Sequence, residues 1–253
     1  MRKPLSIAGV TWLQGLRNQT FWIAAFLFAA FLLVAFFLRV LAIGHKAMML
    51  RSFGLASMEL SALLLIVYGF VFSMHREREN RIQSLYLTYV SPWQYLLGKL
   101  LGNCLLIFAY LSIAAFLCAA LLFHEGAFSG AFFFGTYSIF LKLCIICSFC
   151  LLFSCLLSSP VFASLMTFFT YCAGELSAYP LMIMKSSTNQ MIVTFYRVLY
   201  HLLPNMDKVD LKYLAIWELP IEPMHVLTIT VYAFFYSMML FVPALWAFSR
   251  REH

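Results

Sequence analysis

Charge is what this sequence has least of. Only 11% of its 253 residues are Asp, Glu, Lys or Arg, while 64% are hydrophobic and 18% aromatic. Ordinary soluble domains carry about 25% charged and roughly 45–50% apolar residues, so lipid must be the main solvent of this chain. Other absences exclude specific chemistry. There is no G-x-x-x-x-G-K-[ST] run, so the chain has no phosphate loop with which to bind ATP. The six histidines (His45, His75, His124, His201, His225, His253) are scattered, with no i, i+4 pair to hold a metal on one helix face. No internal repeat, low-complexity tract or separate soluble domain is visible. Cysteine pairing is also missing from the pattern: the seven cysteines are odd in number and all lie inside apolar runs, unlike a secreted disulfide framework. They read as thiols acting as small hydrophobes. Cys144 and Cys147 form a C-x-x-C, but no flanking βαβ pattern, His or charge is there to activate it.

What is present is a series of long apolar runs. A bilayer core needs about 20 apolar residues in helix, and candidate spans are 21–43, 54–74, 93–123, 129–157, 160–183 and 224–248. The alternation of a barrel strand is absent, so helices are the expected spanning element. Residues 4–19 read as an interfacial helix, with Pro4 at its first position and Leu5, Ala8, Trp12 and Leu16 on one face. Arg2 and Lys3 give a basic start. However, Trp12, Gln14, Arg17, Asn18 and Gln19 precede the first apolar run. That run is also longer than the apolar part of a cleaved leader, typically about 7–15 residues. An uncleaved first span is expected. The net charge of +7 and pI near 9.1 fit Lys and Arg retained in cytoplasmic loops. No soluble basic-aromatic stripe suggests nucleic acid. Six spans place both termini on one side. That side holds nine basic residues (Arg2, Lys3, Arg17, Arg76, Arg78, Arg81, Lys99, Arg250, Arg251) against seven on the other (Arg39, Lys46, Arg51, Lys185, Arg197, Lys208, Lys212). The excess favours cytoplasmic termini.

Charge is concentrated in one place, residues 75–99. Five of its first seven residues (Arg76, Glu77, Arg78, Glu79, Arg81) are ionised. Ile82, Leu85, Tyr86 and Tyr89 then recur at helical spacing on one apolar face. Ser91-Pro92-Trp93-Gln94 reads as a fresh helix start, with a Ser cap, Pro at the first position and Gln as capping-box partner. So a short amphipathic helix, a break and a third span are expected. The longest connection, 184–223, carries another stripe (Met191, Ile192, Phe195, Val198, Leu199, Leu202), then a turn at Leu203-Pro204-Asn205-Met206-Asp207. It reads as an amphipathic helix on the outer surface followed by an irregular connection.

This order of parts resembles the permease subunits of ABC-2 type transporters. The residues that carry the resemblance are Glu77-Arg78-Glu79, Leu85 and Leu87, Val90-Ser91, Trp93-Gln94-Tyr95, and Leu96-Leu97-Gly98-Lys99, with Leu203-Pro204-Asn205, Asp207, Asp210 and Leu211-Lys212 similar to the family's last outer loop. Tyr89 and Pro92 depart from the pattern, where the family often has Pro and a basic residue. In layout the chain is most similar to the permeases that serve nitrous oxide reductase maturation. The resemblance implies an all-α membrane protein, 1–253 forming one transmembrane domain with its interfacial helix within 1–20, and a cytoplasmic coupling helix between spans two and three. It implies a place in the inner membrane of a bacterium and a dimer with itself or a similar permease. It also implies a separate cytoplasmic ATPase subunit that binds the ATP and Mg, with no cofactor in this chain. Glu77, Arg78, Glu79 and Arg81 would orient that ATPase, and Leu85, Tyr86 and Tyr89 would anchor it. Hydrolysis would be the partner's, so this chain is expected to be no enzyme itself.

Two charges stand inside spans. Ser158-Ser159-Pro160 reads as a tight turn between spans four and five, and Lys142 precedes it by as many residues as Glu175 follows it. At about 1.5 Å per residue both sit roughly 24 Å from that turn, so the expectation is that they pair across the hairpin. Tyr179-Pro180 should break the outer end of the fifth helix. Two other readings stand beside the exporter: a membrane thiol oxidoreductase or metal carrier using the intramembrane cysteines, and a scaffold that recruits an ATPase without transport.

Overall fold

Backbone groups placed in lipid must be satisfied within their own segment, and the apolar runs accordingly fold as helices. The computed structural model describes residues 2–41, 46–80, 82–126, 128–176, 204–220 and 222–251. Its helices are α1 (Arg2–Arg17), α2 (Gln19–Leu41), α3 (Lys46–Leu64), α4 (Val71–Glu79), α5 (Ile82–Tyr89), α6 (Pro92–His124), α7 (Ala131–Leu156), α8 (Pro160–Glu175), α9 (Lys212–Ile216) and α10 (Pro223–Arg251). A π-helical turn, Leu65–Phe70, joins α3 to α4 without a break, and a 3₁₀ turn covers Met206–Lys208. There are no strands among the described residues. Five helices among them are long and apolar enough to cross a membrane: Gln19–Phe37, Lys46–Glu79, Pro92–His124, Ala131–Leu156 and Pro223–Arg250.

Among the described residues the expected six spans are therefore five. The segment expected to span at 160–183 is helical as α8, which has 16 residues. That length reaches about 24 Å, short of a bilayer core of about 30 Å. Residues 177–203 lie outside the described part, and with them the break at Tyr179-Pro180 and the stripe from Met191 to Leu202. A second difference concerns the charged run. The helix of the span expected to end at 74 continues through Arg76, Glu77, Arg78 and Glu79 before Asn80 ends it. The new start at Pro92 is where expected, with Ser91 extended, yet Ser91 makes no side-chain cap bond. A side-chain cap forms at Asn18, before α2. Its carboxamide oxygen accepts from the Thr20 amide at 3.2 Å and from the Thr20 hydroxyl at 3.1 Å.

The long helices run up and down. One end of the bundle gathers α1, α4, α5, the start of α6, the α7–α8 turn and the end of α10, with Tyr95 of α6 stacked on Phe248 of α10 at 5.8 Å. We call it the α1 end. The opposite end carries α9. α1 lies along the start of α6, and small residues set how closely. A Cβ on Gly98 would meet Ile7 at 2.8 Å and the Pro4 carbonyl at 2.9 Å, and one on Gly102 would meet the Ala8 carbonyl at 2.8 Å. This contact chooses the packed face of α1: Ile7, Ala8 and Thr11 are buried, whereas Leu5 and Trp12 of the expected stripe are exposed.

The segment after residue 203 also differs from expectation. It is no surface connection, because Met206, Val209, Leu211 and Ala215 have no exposed surface at all. Glycine makes room for it. A Cβ on Gly174 would meet the Met206 side chain at 2.7 Å, and one on Gly135 would meet Ala215 at 2.9 Å. The segment thus reaches into the bundle and carries Asp210 and Lys212 with it.

Candidate functional site

At the depth where α9 enters the bundle, six polar side chains converge. Lys142 of α7 is 1% exposed. Its ammonium reaches three carboxylates: Glu175 of α8 at 2.5 Å, Asp210 at 2.7 Å and Glu59 of α3 at 3.3 Å. An ammonium has three protons, so all of them are used. Lys212 closes the other side, 2.6 Å from Glu59 and 3.2 Å from Asp210. The Tyr171 hydroxyl donates to Glu59 at 3.1 Å, and the Lys212 amide donates to Asp210 at 2.7 Å. Burial alone would raise the Asp210 carboxyl, but Lys142 and Lys212 beside it hold it below the usual carboxylate range. Three carboxylates meet two ammoniums, leaving one formal negative charge in excess. The inner members, Glu59 and Lys142, are sealed, while Glu175, Asp210 and Lys212 are 20–29% exposed and form the open side.

Lys142 and Glu175 are thus in contact, as members of a larger group. Sequence reasoning missed Glu59 and Tyr171, and did not connect Asp210 or Lys212 with the spans. One signal could have found Glu59: it is an acidic residue inside the apolar run 54–74, and a charge there needs a partner or water.

A second buried ion pair lies at the α1 end, on the same long helix. Glu77 is buried, and one carboxylate oxygen takes the ammonium of Lys99 while the other accepts from the Tyr95 hydroxyl at 2.9 Å. Rings cover this pair. Tyr95 meets Tyr86 of α5 at 5.9 Å and Phe248 of α10 at 5.8 Å. Glu77 thus lies inside the bundle, apart from the exposed Arg78 and Glu79 of the expected rim. Glu77 faces inward because Lys99 and Tyr95 share its carboxylate, and it is not available to orient a partner. Arg78 and Glu79 are exposed at the helix end. On α5, Tyr86 is half-buried against Tyr95, Tyr89 is 77% exposed, and the side chains of Arg81 and Leu85 lie outside the described residues.

Between the two charged sites the helix carries its π turn. Widened turns leave carbonyls for other donors. Here the Ser164 hydroxyl of α8 donates to Val67 O at 3.1 Å and the Cys150 thiol of α7 to Ile66 O at 3.8 Å. Such turns often mark functional sites in helices. None of the seven cysteines forms a disulfide among the described residues.

Five apolar helices and an ionic group buried among them define a multi-pass helical membrane protein. No protein-family model matches the chain, and no curated protein matches it.

Proposed function

We propose that this chain is the membrane-spanning permease subunit of an ABC-2 type exporter, moved by a separate ATPase that docks at α5. One observation carries the reading. A single helix, Lys46–Glu79, has Glu59 in the buried network and Glu77 in the pair at the α1 end. The two lie about 27 Å apart along its axis. α5 rests on that second pair through Tyr86 and Tyr95. A push on α5 therefore has a stiff route to the network, through Tyr95, Glu77 and the long helix, with the π turn between as the place where the helix can bend.

The parts take these roles. Tyr89, with Leu85, supplies apolar contact to a groove on the ATPase, and Arg78, Glu79 and Arg81 supply orientation and on-rate. The ATPase supplies the ATP and Mg. Two copies of this chain, or this chain with a similar one, flank a central path in the inner membrane of a bacterium, with α1, α5 and the end of α10 in the cytoplasm. The open side of the network, at Glu175, Asp210 and Lys212, meets that path. The basic residues at the α1 end support this orientation.

Replacing both Leu85 and Tyr89 with Asp tests the reading. Purified from its native membrane, the wild-type chain should carry a soluble ATPase at a fixed ratio, and the double variant should retain less than a tenth of it. A wild-type chain that brings down no ATPase would overturn the proposal.

A further inference from the structure

The α1 end also contains a small polar cavity to which no role has been given. It measures about 60 Å³ and lies between α4, α5, the end of α7 and the end of α10, walled by His75, Arg78, Gln83, Ser154 and Phe248. An ordered water needs about 10–15 Å³ of such volume, so the space holds four or so oxygen-sized atoms.

Its lining asks for an acceptor. Ser154 is 6% exposed, and its hydroxyl is the one buried side-chain N or O atom without a hydrogen-bond partner among the described residues. Most other buried serine and threonine hydroxyls return their proton to a carbonyl one turn back, and Ser164 gives its own to Val67 O. Ser138 donates to Gly135 O at 2.8 Å, Ser148 to Cys144 O at 3.1 Å and Thr167 to Ala163 O at 2.8 Å. Ser154 does not, so its donor is left for the cavity. Arg78 adds a guanidinium with its fork of donors, and Gln83 adds an amide. No acidic residue is among the described residues of the lining. His75 turns Nδ1 to Val71 O at 3.0 Å and Nε2 to Leu157 O at 3.3 Å. Both ring nitrogens therefore face backbone carbonyls, and His75 serves as a wall of the cavity.

We infer that this cavity binds a phosphate-type oxyanion. Three donor-bearing side chains from three helices, Arg78, Gln83 and Ser154, line a space the size of one phosphate group, and guanidinium geometry matches phosphate oxygens. The group could belong to an anionic phospholipid seated where the helices leave the bilayer, or to free inorganic phosphate. The chemistry of recognition is the same.

The test uses the full-length purified chain in two arms. In the first, the chain is placed in nanodiscs of phosphatidylglycerol or phosphatidylcholine, and retained lipid is measured by native mass spectrometry. In the second, inorganic phosphate is titrated into detergent-solubilised, delipidated chain and followed by thermal shift. Variants are Arg78→Gln and Gln83→Glu, with Lys46→Gln at the opposite end as control. Retention of phosphatidylglycerol over phosphatidylcholine, reduced at least tenfold in both cavity variants and unchanged in the control, supports the site with lipid as its source. A saturable rise in melting temperature with phosphate, lost in both cavity variants, supports it with free phosphate as the source. Retention or stabilisation that survives both cavity variants, or no preference in either arm, overturns the inference. Ser154→Ala checks the hydroxyl without adding bulk and should weaken whichever binding is seen.

Discussion

Lys142→Met should be the most damaging single substitution in the chain. The ammonium it removes is almost fully buried and is shared by Glu59, Glu175 and Asp210. Lys212 still reaches Glu59 and Asp210, but Glu175 loses its lysine contact. The group's formal charge falls from one negative to two. Taking one partner from a buried ionic group costs about 3–5 kcal/mol, a large fraction of the stability of most domains. The variant should lose folded, monodisperse protein in detergent, or unfold at markedly lower denaturant. The pattern of rescue separates a network from an isolated pair. Lys142→Met with Glu175→Gln keeps the original excess of one negative charge and leaves Lys212 with its two carboxylates, so it should recover part of the loss. The charge swap Lys142→Glu with Glu175→Lys should recover little, because the new carboxylate faces Glu59 and Asp210. An isolated pair would behave the other way round, with the swap as the better rescue.

Lys99→Met should have a comparable effect at the α1 end. Its side chain is 3% exposed and supplies the cation facing Glu77, whose other hydrogen bond among the described residues comes from the neutral Tyr95 hydroxyl. About 3–5 kcal/mol is again the expected cost of leaving a buried carboxylate without its cation. Glu77→Gln with Lys99→Met should restore much of it, since removing both charges removes the need for pairing, and the double-mutant cycle measures the coupling. A local readout follows as well. Tyr86 rests on Tyr95, so loss of the pair should loosen α5, and limited proteolysis between residues 80 and 91 should speed up more than cleavage elsewhere. Full stability in Lys99→Met would mean that Glu77 is hydrated, and the proposed route from α5 to the long helix would lose its first link.

Much of the helical frame can be read from the chain because apolar length and lipid leave few choices. Pro92 and Pro160 mark helix starts for local reasons, since proline fits a first turn and nowhere later at low cost. The short helix over Ile82–Tyr89 is present where its spacing predicts it. What could not be read depends on contacts between distant segments. The inward turn of Glu77 follows from Lys99 and Tyr95, 22 and 18 residues away, and a run of charges looks the same whether all of it is solvated or one member is buried. The packed face of α1 is set by Gly98 and Gly102 on another helix, so a stripe read from α1 alone held the buried Ala8 but also the exposed Leu5 and Trp12, and lacked Ile7 and Thr11. The network was visible only in part. Lys142 and Glu175 are linked by a short turn and equal spacing, whereas Asp210 and Lys212 arrive from a segment whose polarity suggests an exposed connection. They go inside because Met206, Val209, Leu211 and Ala215 between and around them are apolar and find space beside Gly174 and Gly135.

The central claim is that the exposed face of α5 meets a cytosolic ATPase. A photocrosslinking amino acid placed at Tyr89 in cells of the native host tests it most directly. The account predicts one dominant adduct, with a soluble nucleotide-binding protein, that disappears when Leu85 is also replaced by Asp. Labelling of position 89 by a membrane-impermeant reagent from outside the cell, or crosslinks to lipid and to no soluble protein, would contradict it.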